Sequence, residues 1–167
     1  MTARTSCRTL LAATLGAAAL LLALPAISVA ALKCGKEVEH HYYLDNPDGP
    51  GVNGSVYLRS CIQRNPSTTD GRAWVRGFVN VRVVGLELYE SKSKGYGRVW
   101  REGSTPITDW ISSKYATSPK GIGRAWGTQF LHVKSRYSFL AVGKFTYDVK
   151  YDGKGSYTNA APLSPLA

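Results

Sequence analysis

The sequence predicts an all-β protein: an antiparallel β-sandwich, or an open barrel, carrying one disulfide. Three observations lead there. Apolar and polar residues alternate with a period of two over 73–84 and 137–151, the pattern of strands with one buried face. Turn pairs such as Asn53-Gly54, Asn65-Pro66, Asp70-Gly71, Lys94-Gly95 and Asp152-Gly153 punctuate the chain at intervals that suit short antiparallel strands. Beyond the N-terminal apolar run there are only two cysteines, Cys34 and Cys61, which allow a single intramolecular pairing.

The N-terminus predicts export. Arg4 and Arg8 precede fifteen residues of Leu, Ala, Thr and Gly (10–24), then Pro25 and the small-residue string 26–31. A basic start, an apolar stretch of this length and a small-x-small site are the parts of a secretory signal peptide. Ser28 and Ala30 suit the −3 and −1 positions, so residues 1–30 are expected to leave as the signal, with cleavage after Ala30. An uncleaved anchor is the competing reading, since the run to Leu32 approaches the ~20 residues of a membrane span. Cys7 lies in the signal. Cys34 and Cys61 are then expected to form a disulfide in an oxidising compartment, placing the protein outside the cell.

The remaining chain reads as one β domain over 31–158, followed by a loose tail over 159–167. Residues 38–44 are rich in His and Tyr. In 55–63, Val56, Leu58 and Ile62 share one side. In 73–84 the odd positions Ala73, Val75, Gly77, Val79, Val81 and Val83 are apolar or Gly, and Gly85 separates this strand from 86–90. Residues 97–101 and 123–133 also read as extended. In 137–151 the odd positions Tyr137, Phe139, Ala141, Gly143, Phe145, Tyr147, Val149 and Tyr151 face the core, and Lys144, Thr146, Asp148 and Lys150 face water. Residues 105–115 fit two structures equally. Thr105 with Pro106 can start a short helix, yet Ile107, Ile111 and Tyr115 also share a strand face. The tail has two prolines and no charge, hence the expectation that it is loose.

Metal and catalytic motifs are sparse. His40 and His41 are neighbours on a strand and point to opposite faces, and no Cys-x-x-Cys or His-Glu-x-x-His spacing occurs. No cofactor or metal is expected. Gly-x-Ser-x-Gly is absent, and nothing in the spacing of the eleven acids selects a glycosidase-type pair. The loop 45–51 offers two carboxylates to a calcium ion but lacks a calcium-loop pattern and reads more simply as a Pro/Gly turn. Gly95-Tyr96-Gly97 and Gly121-Ile122-Gly123 do not open helices, which argues against a phosphate loop.

Charge carries more information. Without Arg4 and Arg8 the chain keeps 19 basic and 11 acidic residues, a net charge of +8, which favours anionic partners or serves solubility. The even positions of 73–84 place Trp74, Arg76, Phe78, Asn80 and Arg82 in a row. Such a row can stack rings or sugars and hold phosphates or carboxylates. Trp74, Arg76, Phe78 and Arg82 are therefore the candidate binding face. Under the simpler reading a loop covers the rings and the Arg stems lie along them. The expected function is a secreted, non-enzymatic binding module for an anionic glycan, a cell-envelope polymer or a protein partner. Export and the lack of a nucleic-acid-binding motif disfavour nucleic acid. A small secreted hydrolase with unidentified carboxylates, or a secreted inhibitor or toxin acting through a loop such as 45–51, are the alternatives.

Overall fold

The computed structural model describes residues 30–45, 51–115 and 124–167. The expected signal over 1–30 (Ala30 apart), the loop 46–50 and Gly121-Ile122-Gly123 lie outside the described residues. The fold is an antiparallel β-sandwich of two packed sheets, as the alternation predicts.

Its centre is a long hairpin of β3 (Val52–Arg64) and β4 (Arg72–Val84). The two strands pair in register from Ser55↔Val84 to Arg64↔Val75. That register puts the even residues of β3 and the odd residues of β4 on one side, where Val56, Leu58, Ile62, Val75 and Val79 are fully buried. Asn65 N donates to Trp74 O at 2.8 Å, and Gly71, with φ +71°, closes the turn in a conformation that glycine adopts without steric cost.

Each flank of the hairpin is covered by two short strands in line. On β3 these are β1 (Ala31–Cys34) and β2 (Val38–Leu44). Between them Gly35 N donates to Ser60 O at 2.9 Å. On β4 they are β7 (Arg124–Gly127) and β8 (Leu131–Lys134). Thr128 fills the break there. Its N–H donates to Gly77 O at 2.9 Å, and its Oγ1 accepts from Gly77 N at 3.1 Å, so the interrupted ladder leaves no orphaned group at Gly77. Beyond β7 lies β6 (Ser113–Tyr115).

The second sheet has the order β10-β9-β5, from β5 (Lys94–Arg101), β9 (Phe139–Tyr147) and β10 (Tyr157–Ala160). Strand β9 buries every other residue, and Phe139 and Phe145 are among the largest fully buried side chains. Burial of a side chain of this size contributes roughly 1.5–3 kcal/mol. Phe145 packs on Trp126 and Tyr147, with ring centroids 5.5 and 5.3 Å apart. Past Tyr147 the expected facing fails, because the strand ends there: Asp148 is buried, and Tyr151, at φ +66°, is 77% exposed. Ser60 bridges the sheets by accepting from Gly143 N at 2.9 Å. Near the middle, glycines replace side chains. A Cβ on Gly127 would stand 2.1 Å from Gly77 O and 2.5 Å from Phe78 Cα, so the backbones there are in direct contact.

Residues 105–115 form no helix. Ile107 N donates to Val99 O, and Gly97 and Ile111 exchange both backbone bonds. The edge of β5 thus offers this segment a ladder of partners that an isolated helical turn would forfeit. The only helical turn among the described residues is a 3-10 turn over Glu90–Lys92. The tail also departs from expectation. Residues 159–167 are bound, with β10 extending onto β9 and the chain continuing along it. Ala161 N donates to Gly143 O, Ser164 N to Ala141 O, and Ala167 and Phe139 exchange two bonds. Ser164 is buried and its Oγ accepts from Ala141 N at 2.8 Å.

The Cys34–Cys61 disulfide is formed, with an S–S distance of 2.01 Å. It joins directly paired residues of β1 and β3 and fastens the start of the domain to its central hairpin. Among the described residues no helix is long and apolar enough to cross a membrane.

Candidate functional site

Side chains alternate across a strand, so the outward face of β4 carries Trp74, Arg76, Phe78, Asn80 and Arg82. At ~3.3 Å per residue the row from Trp74 to Arg82 is about 26 Å long. The pairing partners on β3 add Gln63 beside Arg76, Cys61 beside Phe78, Arg59 beside Asn80 and Tyr57 beside Arg82. On the other flank β8 sets His132 beside Trp74 and Lys134 beside Arg72.

The four expected residues do not share one environment. Trp74 is 39% exposed and stacks on His132, with centroids 4.5 Å apart and planes at 16°. Arg76 donates Nε–H to Gln63 Oε1 at 2.8 Å, and its guanidinium lies over Phe130 at 4.7 Å and near Phe78 at 5.7 Å. Phe78 is 8% exposed and packs with Cys61, Ala125 and the flank of Cys34. It therefore offers no ring surface for stacking; its place is in a small second core that supports Arg76 from below. Arg82 donates to Glu37 Oε1 at 2.6 Å and lies over Tyr57, 3.7 Å from the ring centroid. Trp74, Arg76 and Arg82 are thus brought onto one face with their cations seated on rings, and Phe78 is withdrawn beneath it.

Acidic residues sit at the ends of the row. At the Trp74 end Asp70 Oδ2 lies 3.5 Å from His132 Nε2, and Arg72 Nη1 lies 3.5 Å from His132 Nδ1. The Thr68 hydroxyl and the Arg72 amide hold the Asp70 carboxyl below the usual range. At the Arg82 end the Ser55 and Tyr57 hydroxyls hydrogen-bond Glu39 and lower it in the same way, while the bond to Glu37 raises Arg82. Between the ends is Arg59, whose Nε is buried without a hydrogen-bond partner among the described residues. A buried donor of this kind carries a desolvation cost.

Tyr57, Arg59, Gln63, Phe130 and His132 were not singled out from sequence. For Tyr57, Arg59 and Gln63 a signal existed, because they alternate with the apolar Val56, Leu58 and Ile62. For Phe130 and His132 none did, since their place follows from the break at Thr128.

Other groups are committed elsewhere. His41 Nδ1 meets Ser55 Oγ at 3.2 Å, and His40 Nε2 lies 3.4 Å from Ala160 O. Asp148 is buried against Lys92 Nζ at 2.8 Å. Asp152 accepts from Tyr42 Oη at 2.8 Å, Tyr157 Oη at 3.1 Å and Lys154 N at 2.8 Å. The described residues hold no group of three or more His, Cys, Asp or Glu able to bind a metal. No protein-family model, curated protein or solved structure matches the chain.

Proposed function

We propose that this is a secreted binding module without catalytic machinery, and that the outward face of the β3–β4 hairpin takes an anionic glycan or cell-envelope polymer. The observation that carries this reading is the seating of Arg76 on Phe130 and of Arg82 on Tyr57. A guanidinium held over a ring is desolvated on one side and ordered before any ligand arrives. Less side-chain entropy is then lost on binding. Trp74, partly exposed at the end of the row, supplies a surface on which a sugar ring can stack. The mature charge of +8 and the length of the row favour an extended polyanion over a small ion. Secretion itself is supported by the N-terminal pattern and by the disulfide.

The test is a pull-down on anionic glycans, cell-wall polymers and anionic vesicles at low and high salt. Arg76→Ala and Arg82→Ala are expected to weaken binding while the fold persists. Their effect shrinks as salt rises, because exposed charges are screened over ~8–10 Å at ordinary ionic strength. Trp74→Ala weakens binding at both salt levels, since stacking is not screened. Equal binding of wild type and Arg76→Ala on every matrix would overturn the proposal and leave the charge as a solubility device.

A further inference from the structure

At one end of the sandwich a cavity of about 290 Å³ opens between the two sheets, near the lower limit of the ~300–1,000 Å³ usual for ligand pockets. Its walls are Val81 and Val83 of β4, Trp126 of β7, Phe145 of β9, and Leu86 and Leu88 of the segment that leaves β4. Glu90, Ser93 and Arg124 complete the lining, and the exposure of the Arg124 and Glu90 side chains, 46% and 74%, marks their side as the mouth.

The position of Arg124 is the unusual feature. It pairs with Val81 as Trp126 pairs with Val79, so Arg124 and Trp126 share the core-facing side of β7. An arginine on that side stands at the end of an apolar chamber with its charge toward the opening. There it forms an ion pair with Glu90, whose side chain is largely exposed. Glu90 lies on the 3-10 turn that Lys92 anchors to the buried Asp148 at 2.8 Å, so the carboxylate is delivered to the mouth by a fixed element.

We infer that this cavity binds an amphipathic carboxylate, its apolar body between the sheets and its carboxylate on Arg124 in the place now held by Glu90. The walls offer apolar burial and no charge, so the body of the ligand must be a hydrocarbon chain or ring. The mouth offers one guanidinium whose present partner is already a carboxylate, so the exchange preserves the geometry of the pair. Glu90 then acts as a competitor that covers Arg124 until the ligand arrives. The site is separate from the outward face, on the opposite side of β4.

Decanoate and decanol, both below their aggregation concentrations, are the probes, with titration calorimetry and tryptophan emission as readouts. Wild type is expected to bind decanoate saturably and tighter than decanol. Arg124→Gln should weaken decanoate about tenfold or more, the usual worth of a hydrogen bond to a charged group, and leave decanol unchanged. Glu90→Gln should move decanoate in the opposite direction and tighten it, because the competitor is gone. Val83→Phe should abolish both ligands by filling the chamber; if it does not fold, Leu88→Phe makes the same test from another wall. Trp74→Ala and Arg76→Ala should leave decanoate binding intact, which separates this site from the outward face. Absence of saturable decanoate binding by wild type would overturn the inference. So would equal binding by Arg124→Gln, or loss in Glu90→Gln.

Discussion

Gly97 and Gly127 meet backbone to backbone across the sandwich: a Cβ on Gly97 would stand 2.8 Å from Gly127 Cα and 2.5 Å from Gly77 O. Both contacts are to main-chain atoms, which cannot rotate away as a side chain can. Gly97→Ala is therefore expected to force β5 away from β4 and β7. Overpacking a well-packed core costs ~1–3 kcal/mol, and this site should reach or exceed the upper end. Gly155→Ala, whose Cβ would meet nothing within 4 Å, is the control. Denaturant midpoints that agree for the two variants would show that the sheets are not in contact there.

The C-terminal segment should matter to stability. Ser164→Ala removes the acceptor of the Ala141 amide and leaves a buried donor unpaired, a cost of roughly 1–3 kcal/mol. Truncation after Ala160 should cost more, because the backbone bonds at Ala161, Ser164 and Ala167 go with it. Hydrogen exchange at Phe139 and Ala141, whose amides donate to Ala167 O and Ser164 Oγ, reads the effect directly. Unchanged protection in the truncated chain would mean that the segment does not cover β9 in solution.

Non-reducing mass analysis of the native protein should find no alkylatable thiol at Cys34 or Cys61. The bridge spans 27 residues of sequence, so Cys34→Ala with Cys61→Ala should lose roughly 3–4 kcal/mol in the chain-entropy model. Two reactive thiols in the folded protein would refute the pairing.

Asp152 gives a pH dependence with a definite sign. Burial alone would raise its carboxyl, but the Lys154 amide and the Tyr42 and Tyr157 hydroxyls outweigh burial and hold it below its ordinary 3.8. A carboxyl depressed in the folded state stabilises the protein above its unfolded value and loses that contribution as pH falls through the folded one. Burial, followed by the bonds to Tyr157 and Asp152, pushes Tyr42 upward, so its hydroxyl remains a donor. Tyr42→Phe should therefore be less stable than wild type at pH 6, with the gap narrowing below about pH 4. Urea midpoints measured at pH 6 and pH 3 check this; a gap that widens toward pH 3 would contradict the assignment.

Alternation determined the class of fold and the facing of the strands at 73–84 and 139–147, and the count of two cysteines beyond the N-terminal run determined their pairing. Each is a local or combinatorial property: a period of two sorts side chains to two faces wherever the strand lies. The membership of Trp74, Arg76 and Arg82 in one outward row follows from the same rule. What the period does not carry is which strand lies against which. The docking of 105–115 onto the edge of β5, the zipping of 161–167 onto β9 and the arrival of Phe130 and His132 beside β4 all rest on backbone hydrogen bonds between distant segments. Backbone bonds leave little trace in side-chain pattern. The withdrawal of Phe78 beneath the row required Cys61 and Ala125 from neighbouring strands. The cavity required residues of both sheets to be brought together, and the core-facing position of Arg124 became meaningful only when β7 was set in register against Val81.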